Sequence, residues 1–188
     1  MEQFEHAGLT IKLEPDEDRE NPREWSNVGT MVCYHGRYNL GDKHQILDSK
    51  AYSGWDEVEE AIRAQYDVFG PVIPLRLYDH SGISISTSNR WPYNCPWDSG
   101  QVGFIFATAD SVGENLVEGT TREQVRAMLE DEVRVYDQYL RGDVWCYDIQ
   151  RGDEYLDSLG GIYSYDYALE QAKAAAEVLS KDDDRPTS

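Results

Sequence analysis

The chain has 188 residues and sets 36 acidic side chains against 17 basic ones, a formal charge of −19, with a pI near 4.4. A surface of that sign repels phosphate backbones and anionic lipid, which excludes direct nucleic-acid or membrane binding as the expected activity. The length suits one domain whose core needs no staple, and 5 Trp, 13 Tyr and 4 Phe supply apolar bulk that a disordered chain lacks.

Residues 9–13 alternate apolar and polar side chains, as a half-buried strand does, and Pro15 ends them. Residues 16–24 hold Pro22 and seven charged side chains, a solvated loop. A second strand covers 28–34, followed by a turn-rich connection from Gly36 to Gly54. From Trp55 the period changes: Val58, Ala61, Ile62, Tyr66 and Phe69 recur at helical spacing, Asp56, Glu57, Glu59 and Glu60 load the first turns, and Gly70-Pro71 stops the helix. Segments 73–78 and 83–87 flank Asp79-His80-Ser81-Gly82, a hairpin signal. A long connection, 88–100, leads to an apolar strand at 102–107 and a short helix near Asp110.

Thr121 and Gln124 have capping-box spacing at the start of the longest helix. Its stripe is Val125, Leu129, Val133 or Glu132, Tyr136 and Leu140, and Gly142 ends it. Strands at 144–149 and 155–163 turn at Arg151-Gly152-Asp153, a helix runs from 166 to 179, and 181–188 reads as a disordered charged tail. With neither a repeat nor a linker, the pattern predicts a single α+β domain over 1–180, a mainly antiparallel sheet packed by about three helices.

Cys33, Cys95 and Cys146 are odd in number and widely spaced, which describes a reducing compartment rather than a disulfide framework. The first residues lack a basic and then apolar leader, and no run approaches the ~20 apolar residues of a membrane span. These features predict a soluble, cytoplasmic protein.

The most distinctive text is Tyr78-Asp79-His80-Ser81-Gly82, followed by Cys95-Pro96-Trp97-Asp98-Ser99-Gly100-Gln101-Val102-Gly103-Phe104-Ile105. With Tyr136-Asp137-Gln138-Tyr139-Leu140 and Gly142-Asp143-Val144, these segments resemble a family of uncharacterised proteins carried by phages and mobile elements. The resemblance covers roughly residues 55–165. It implies a mobile-element protein acting in the host cytoplasm, a setting in which small proteins that blunt host defence are frequent.

Two kinds of chemistry fit the residues. Cys95, His80 and Asp98, with Asp79 beside them, have the types needed for a thiolate, its base and an orienting acid; that reading is a small cysteine-dependent hydrolase or transferase. Against it, Pro96 and Asp98-Ser99-Gly100 are ordinary turn chemistry, and Cys is among the most buried residue types. Cys33 and His35 share one side of a strand, and His44 offers a third donor, but the spacing lacks a paired metal motif. No metal or cofactor is expected. Both Arg-Gly-Asp triplets, at 141–143 and 151–153, read as turns.

The other chemistry is charge. With 19 Asp and only 5 Lys, the acidity suits salt adaptation or solubility, or it imitates nucleic-acid phosphates before a basic partner. Glu123, Glu130, Asp131 and Asp137, with Glu132, lie outside or beside the apolar stripe of the long helix, about 6 Å from neighbours a turn away. Trp91 and Trp97, with Tyr93 and Arg90, add aromatic anchors in the connection before the 102–107 strand. The leading expectation is a non-catalytic inhibitor of a host nucleic-acid-handling defence complex, whose partner is a basic nucleic-acid-binding protein.

Overall fold

The computed structural model describes residues 1–44, 51–80, 82–88 and 99–182. In chain order the elements are β1 (Glu2–His6), β2 (Leu9–Pro15), a 3-10 turn at Pro22–Glu24, β3 (Gly29–Cys33), α1 (Trp55–Gln65), β4 (Ile73–Asp79) and β5 (Ile83–Ser86). There follow β6 (Ser99–Ala107), α2 (Ala109–Asn115), α3 (Arg122–Arg141), β7 (Val144–Arg151), β8 (Glu154–Tyr163) and α4 (Tyr165–Asp182). The fold class is α+β. Its strands form two four-stranded antiparallel sheets rather than the one expected, and the chain divides into two compact units, residues 1–20 with 138–188, and residues 21–137. The expected tail begins two residues inside α4, and its positions 183–188 lie outside the described residues.

In the first unit the sheet order is β1-β2-β7-β8. Alternation along β2 turns Leu9, Ile11 and Leu13 inward, where they meet Tyr147, Ile149 and Ile162. Ala168, Ala172 and Ala176 of α4 complete this core. Their spacing of four places three methyl groups on one helix face, so the helix backbone can approach the sheet closely. Each buried Leu or Ile side chain contributes about 1.5–3 kcal/mol of transfer free energy.

β1 has no apolar period, and sequence reasoning missed it. It forms because partners hold it: Phe4 pairs with Ile11, Tyr165 donates its hydroxyl to Glu2 at 2.5 Å, and His6 lies 3.2 Å from Glu177.

The second unit has sheet order β3-β6-β4-β5. One face packs Val32, Phe104 and Phe106 against Val58 and Ile62 of α1. The other carries Met31, Ile105 and Ile73, which are register partners. Here α3 closes in: a methyl group built on Gly29 would stand 2.5 Å from Leu129 Cδ2 and 2.9 Å from Ile105 Cδ1. Because both faces are covered, β3 and β6 read as continuous apolar runs rather than alternating ones. Gly103 of the Gly-Gln-Val-Gly segment has a structural reason: a Cβ there would fall 1.8 Å from the Val32 carbonyl oxygen.

The helix ends follow their chemistry. Thr121 N–H donates to Gln124 Oε1 at 2.8 Å, and Gln124 N–H to Thr121 Oγ1 at 3.2 Å, the reciprocal box that the spacing predicts. Val125, Leu129, Val133 and Tyr136 are buried, while Leu140 is only half-buried. α1 is shorter than its apolar period suggests. It stops at Gln65, because the next residues gain backbone partners beside β6: Val68 bridges Thr108, and Phe69 N–H donates to Ala107 at 2.9 Å.

Candidate functional site

Of the residues expected to form a thiol site, Cys95 and Asp98 lie outside the described residues, as do Trp91 and Trp97 with Arg90 and Tyr93. His80 is exposed just beyond β4, its ring 6.2 Å from that of Tyr78. Asp79 is engaged by groups that the sequence does not reveal. Its carboxylate pairs with Arg37 and lies 3.5 Å from the Tyr38 hydroxyl. His35 stacks on Tyr38 at 5.0 Å, and its Nδ1 accepts the backbone N–H groups of Arg37 and Tyr38 at 3.3 and 3.2 Å. No local pattern could join residues 37 and 79; the β3 and β4 chain ends do so.

The described thiols are poor nucleophiles. Burial, reinforced by the Asp42 charge, pushes Cys33 from 9.0 up to about 12. Burial together with Asp16, Glu14 and Asp148 also raises Cys146. A thiol attacks as its thiolate, so neither is activated near neutral pH. The three donors that could have shared a metal, Cys33, His35 and His44, diverge. Cys33 Sγ faces Gly41, His35 lies on Tyr38, and His44 packs edge-on against Tyr34 at 5.1 Å. Among the described residues no group of three His, Cys, Asp or Glu is placed to hold a metal ion.

The acidic row of α3 resolves into separate tasks. Glu123 is exposed. Glu130 pairs with Arg126 at 3.1 Å and Asp131 with Arg134 at 3.0 Å, both on the helix surface. Glu132 and Asp137 turn to the sheet. Glu132 accepts the N–H groups of Val28 and Gly29 at 2.8 and 3.1 Å, and Asp137 accepts the N–H of Ile85 at 2.8 Å. Since β3 and β5 are the outer strands of their sheet, these two carboxylates satisfy edge groups on opposite sides of it.

The β3 edge is closed by a larger device. Arg23, 3% exposed, forks onto Asp42 through Nε at 2.8 Å and Nη2 at 2.7 Å, and reaches Glu132 at 2.9 Å and the Gly29 carbonyl at 2.6 Å. Asp42 then acts as a surrogate strand: its carboxylate takes the Met31 N–H and its own N–H returns to the Met31 carbonyl, both at 2.8 Å. Gly41 permits this approach, with φ of +69° and a would-be Cβ 2.6 Å from the Met31 oxygen. His44 Nε2 stands 3.4 Å from the Cys33 carbonyl. Burial alone would lower the pKa of Arg23, but Asp42 and Glu132 outweigh it and the net shift is upward. The cation is fixed.

α1 is different. Four carboxylates against one arginine give its 11 residues a net charge of −3, whereas five against four leave the 20 residues of α3 at −1. Glu59 is taken by Arg63 at 2.8 Å, and Glu57 accepts the Ser53 N–H at 2.7 Å. Asp56, Glu57 and Glu60 are exposed, with Asp56 and Glu60 one turn apart on one face. Sequence reasoning read these acids as dipole partners alone, and their net charge was the signal available.

The Arg-Gly-Asp triplets are turns. Gly142 and Gly152 have φ of +72° and +57°, and Asp143 accepts the Trp145 indole N–H at 2.8 Å. Among the described residues no helix is long and apolar enough to cross a membrane. Compared with protein-family models, curated proteins and solved structures, the chain matches none of them.

Proposed function

We propose that the chain is a non-catalytic acidic inhibitor from a phage or mobile element, which engages a basic nucleic-acid-binding component of a host defence complex and displaces its nucleic acid. The observation that carries this reading is the placement of the charge. The buried charged side chain at the β3 edge is a cation, Arg23, no acidic residue is fully buried among the described residues, and α1 presents carboxylates that no strand edge consumes. Such a surface raises the association rate of a basic partner and resembles the charge that the partner's groove is built to accept. The residues proposed to meet the partner are Asp56 and Glu60 on α1, together with Glu123, Glu130 and Asp131 on the outer side of α3. Asp137, bound to the β5 edge, is removed from that set.

The test is competition. The immobilised full chain is used to capture a basic protein from host extract, and duplex DNA or RNA is then added. Nucleic acid should release the captured protein at ionic strengths that leave the complex otherwise intact. A ternary complex, in which the captured protein holds nucleic acid and this chain together with no mutual effect, would sink the proposal.

A further inference from the structure

The two sheets treat their edges differently. Outer groups of β3 are taken by Glu132, Arg23, Asp42 and His44, and the Ile85 N–H of β5 by Asp137. In the first unit β8 is also an outer strand, pairing among the described residues with β7 alone; Asp16 accepts the Gly161 N–H at 2.7 Å, yet Glu154, Tyr155, Ser158 and Leu159 are exposed. Its ten residues, EYLDSLGGIY, include no Lys, Arg or Pro, the residues that ordinarily guard an open edge. Tyr155 and Leu159 are 55% and 48% exposed. Between two register shifts, Asp157, Ser158 and Leu159 keep regular pairing with β7, so this stretch presents extended backbone to a further strand.

We propose that the β8 edge is a docking site for an extended basic segment of the partner, which adds to the sheet as a fifth strand. The inference rests on the basic-partner reading and names the partner's conformation. Charge chooses the occupant. Glu154, opposite Arg151, and Asp157 are the charged residues of β8, Asp148 stands opposite Ser158, and Asp153 precedes the strand in the turn, so carboxylates outnumber the one arginine here. A second copy of this chain would bring the same carboxylates and its own −19 to the edge, whereas a strand with alternating Arg or Lys sets opposite charges beside them. Backbone hydrogen bonds would hold the added strand, Tyr155 and Leu159 would cover its apolar side chains, and the carboxylates would select for basic ones.

The experiment follows backbone amide signals of the full chain by NMR while a blocked peptide of alternating arginine and valine is added at low salt. Signals of residues 155–159 should shift, and their hydrogen exchange should slow. Glu154→Lys with Ser158→Lys should weaken binding by roughly tenfold or more through like-charge repulsion and edge guarding. Both residues are exposed, and retained signal dispersion checks that the variant folds. Shifts centred on α1 would overturn the edge site while leaving the basic-partner reading in place. Absence of peptide binding would also overturn it, and the nucleic-acid competition would then judge the broader reading independently. Protection of β8 that rises with protein concentration, without peptide, would show that a second copy is the occupant and overturn the proposal.

Discussion

In α3, Glu132 and Asp137 point to the outer strands of one sheet and satisfy backbone N–H groups there; in α1, Asp56 and Glu60 face outward. The two helices are alike in acidic content and opposite in its use. A carboxylate that accepts backbone N–H groups has given up part of its capacity to imitate a phosphate, because its lone pairs are directed into the protein. Net charge alone therefore misplaces a binding surface. What matters is the charge left after strand edges and neighbouring arginines have taken their share.

The sharpest way to break this comparison is Glu132→Ala. It removes one partner of Arg23, which is 3% exposed, and frees the Val28 and Gly29 N–H groups together. Breaking a buried ion pair from one side costs about 3–5 kcal/mol, and chemical denaturation should read a loss of that size. A change below about 1 kcal/mol would mean that the Arg23 device does not hold β3.

Leu129→Ala separates the packing role of α3 from its capping role. Leu129 is fully buried and adjoins the Gly29 and Ile105 positions, so truncation should cost about 2–5 kcal/mol. Amides at the β3 edge should stay protected at denaturant concentrations where the variant is still folded, since Glu132 and Asp42 remain. Loss of edge protection without loss of global stability would reverse the two roles.

Asp137→Ala tests the opposite edge. It leaves the Ile85 N–H without its carboxylate, an expected cost of about 1–3 kcal/mol, with the faster amide exchange confined to β5. Asp137 would return to the partner-facing set if stability and exchange were unchanged while partner association fell.

Alkaline titration examines the β3 region by another route. The folded-state pKa of Cys33 is raised, from 9.0 to about 12. Below 9.0 the thiol is protonated whether or not the chain is folded, and its contribution is fully present. As pH climbs through that window the unfolded state loses the proton first, so stability falls toward pH 12 by an amount on the order of a few kcal/mol. Tyr163, pushed up to about 12 mainly by burial, acts in the same direction. The diagnostic quantity is therefore the difference between wild type and Cys33→Ala: the variant should show a shallower decline above pH 9. Parallel curves would mean that this thiol is accessible to water.

Much of the fold was legible because local rules and tertiary packing agree. Thr121 with Gln124 started α3 as its spacing predicts, and the alternation of Leu9, Ile11 and Leu13 identified a half-buried strand. The failures have physical causes. β1 carries one apolar side chain and is held by Tyr165 and Glu177, more than 160 residues away in sequence. The α1 period ran on through Phe69, although backbone pairing with β6 takes that segment out of the helix. In the α3 row, carboxylates that look equivalent by spacing differ by which side of the helix meets a strand edge. The Arg23, Asp42 and Glu132 assembly joins three segments with no shared motif, so no one-dimensional pattern could announce it.

The smallest expected effect on stability carries the finest distinction. Glu60→Gln on α1 and Asp131→Asn on α3 each remove one exposed charge, and both should leave stability within about 0.5 kcal/mol, the range of surface substitutions and exposed ion pairs. Their effects on partner binding should differ. Glu60 belongs to a helix with net charge −3, so neutralising it lowers the local field that draws in a basic partner. Asp131 is already compensated by Arg134 at 3.0 Å, so its loss releases a positive charge into a nearly neutral neighbourhood. Association rates measured against the captured basic partner, across a salt series, should fall for Glu60→Gln by more than for Asp131→Asn. The gap should narrow as salt rises, because charges at the surface are screened over roughly 8–10 Å at physiological ionic strength. Equal losses at every salt concentration would mean that pairing with an arginine does not lower a carboxylate's share in binding, and would remove the distinction between consumed and available carboxylates.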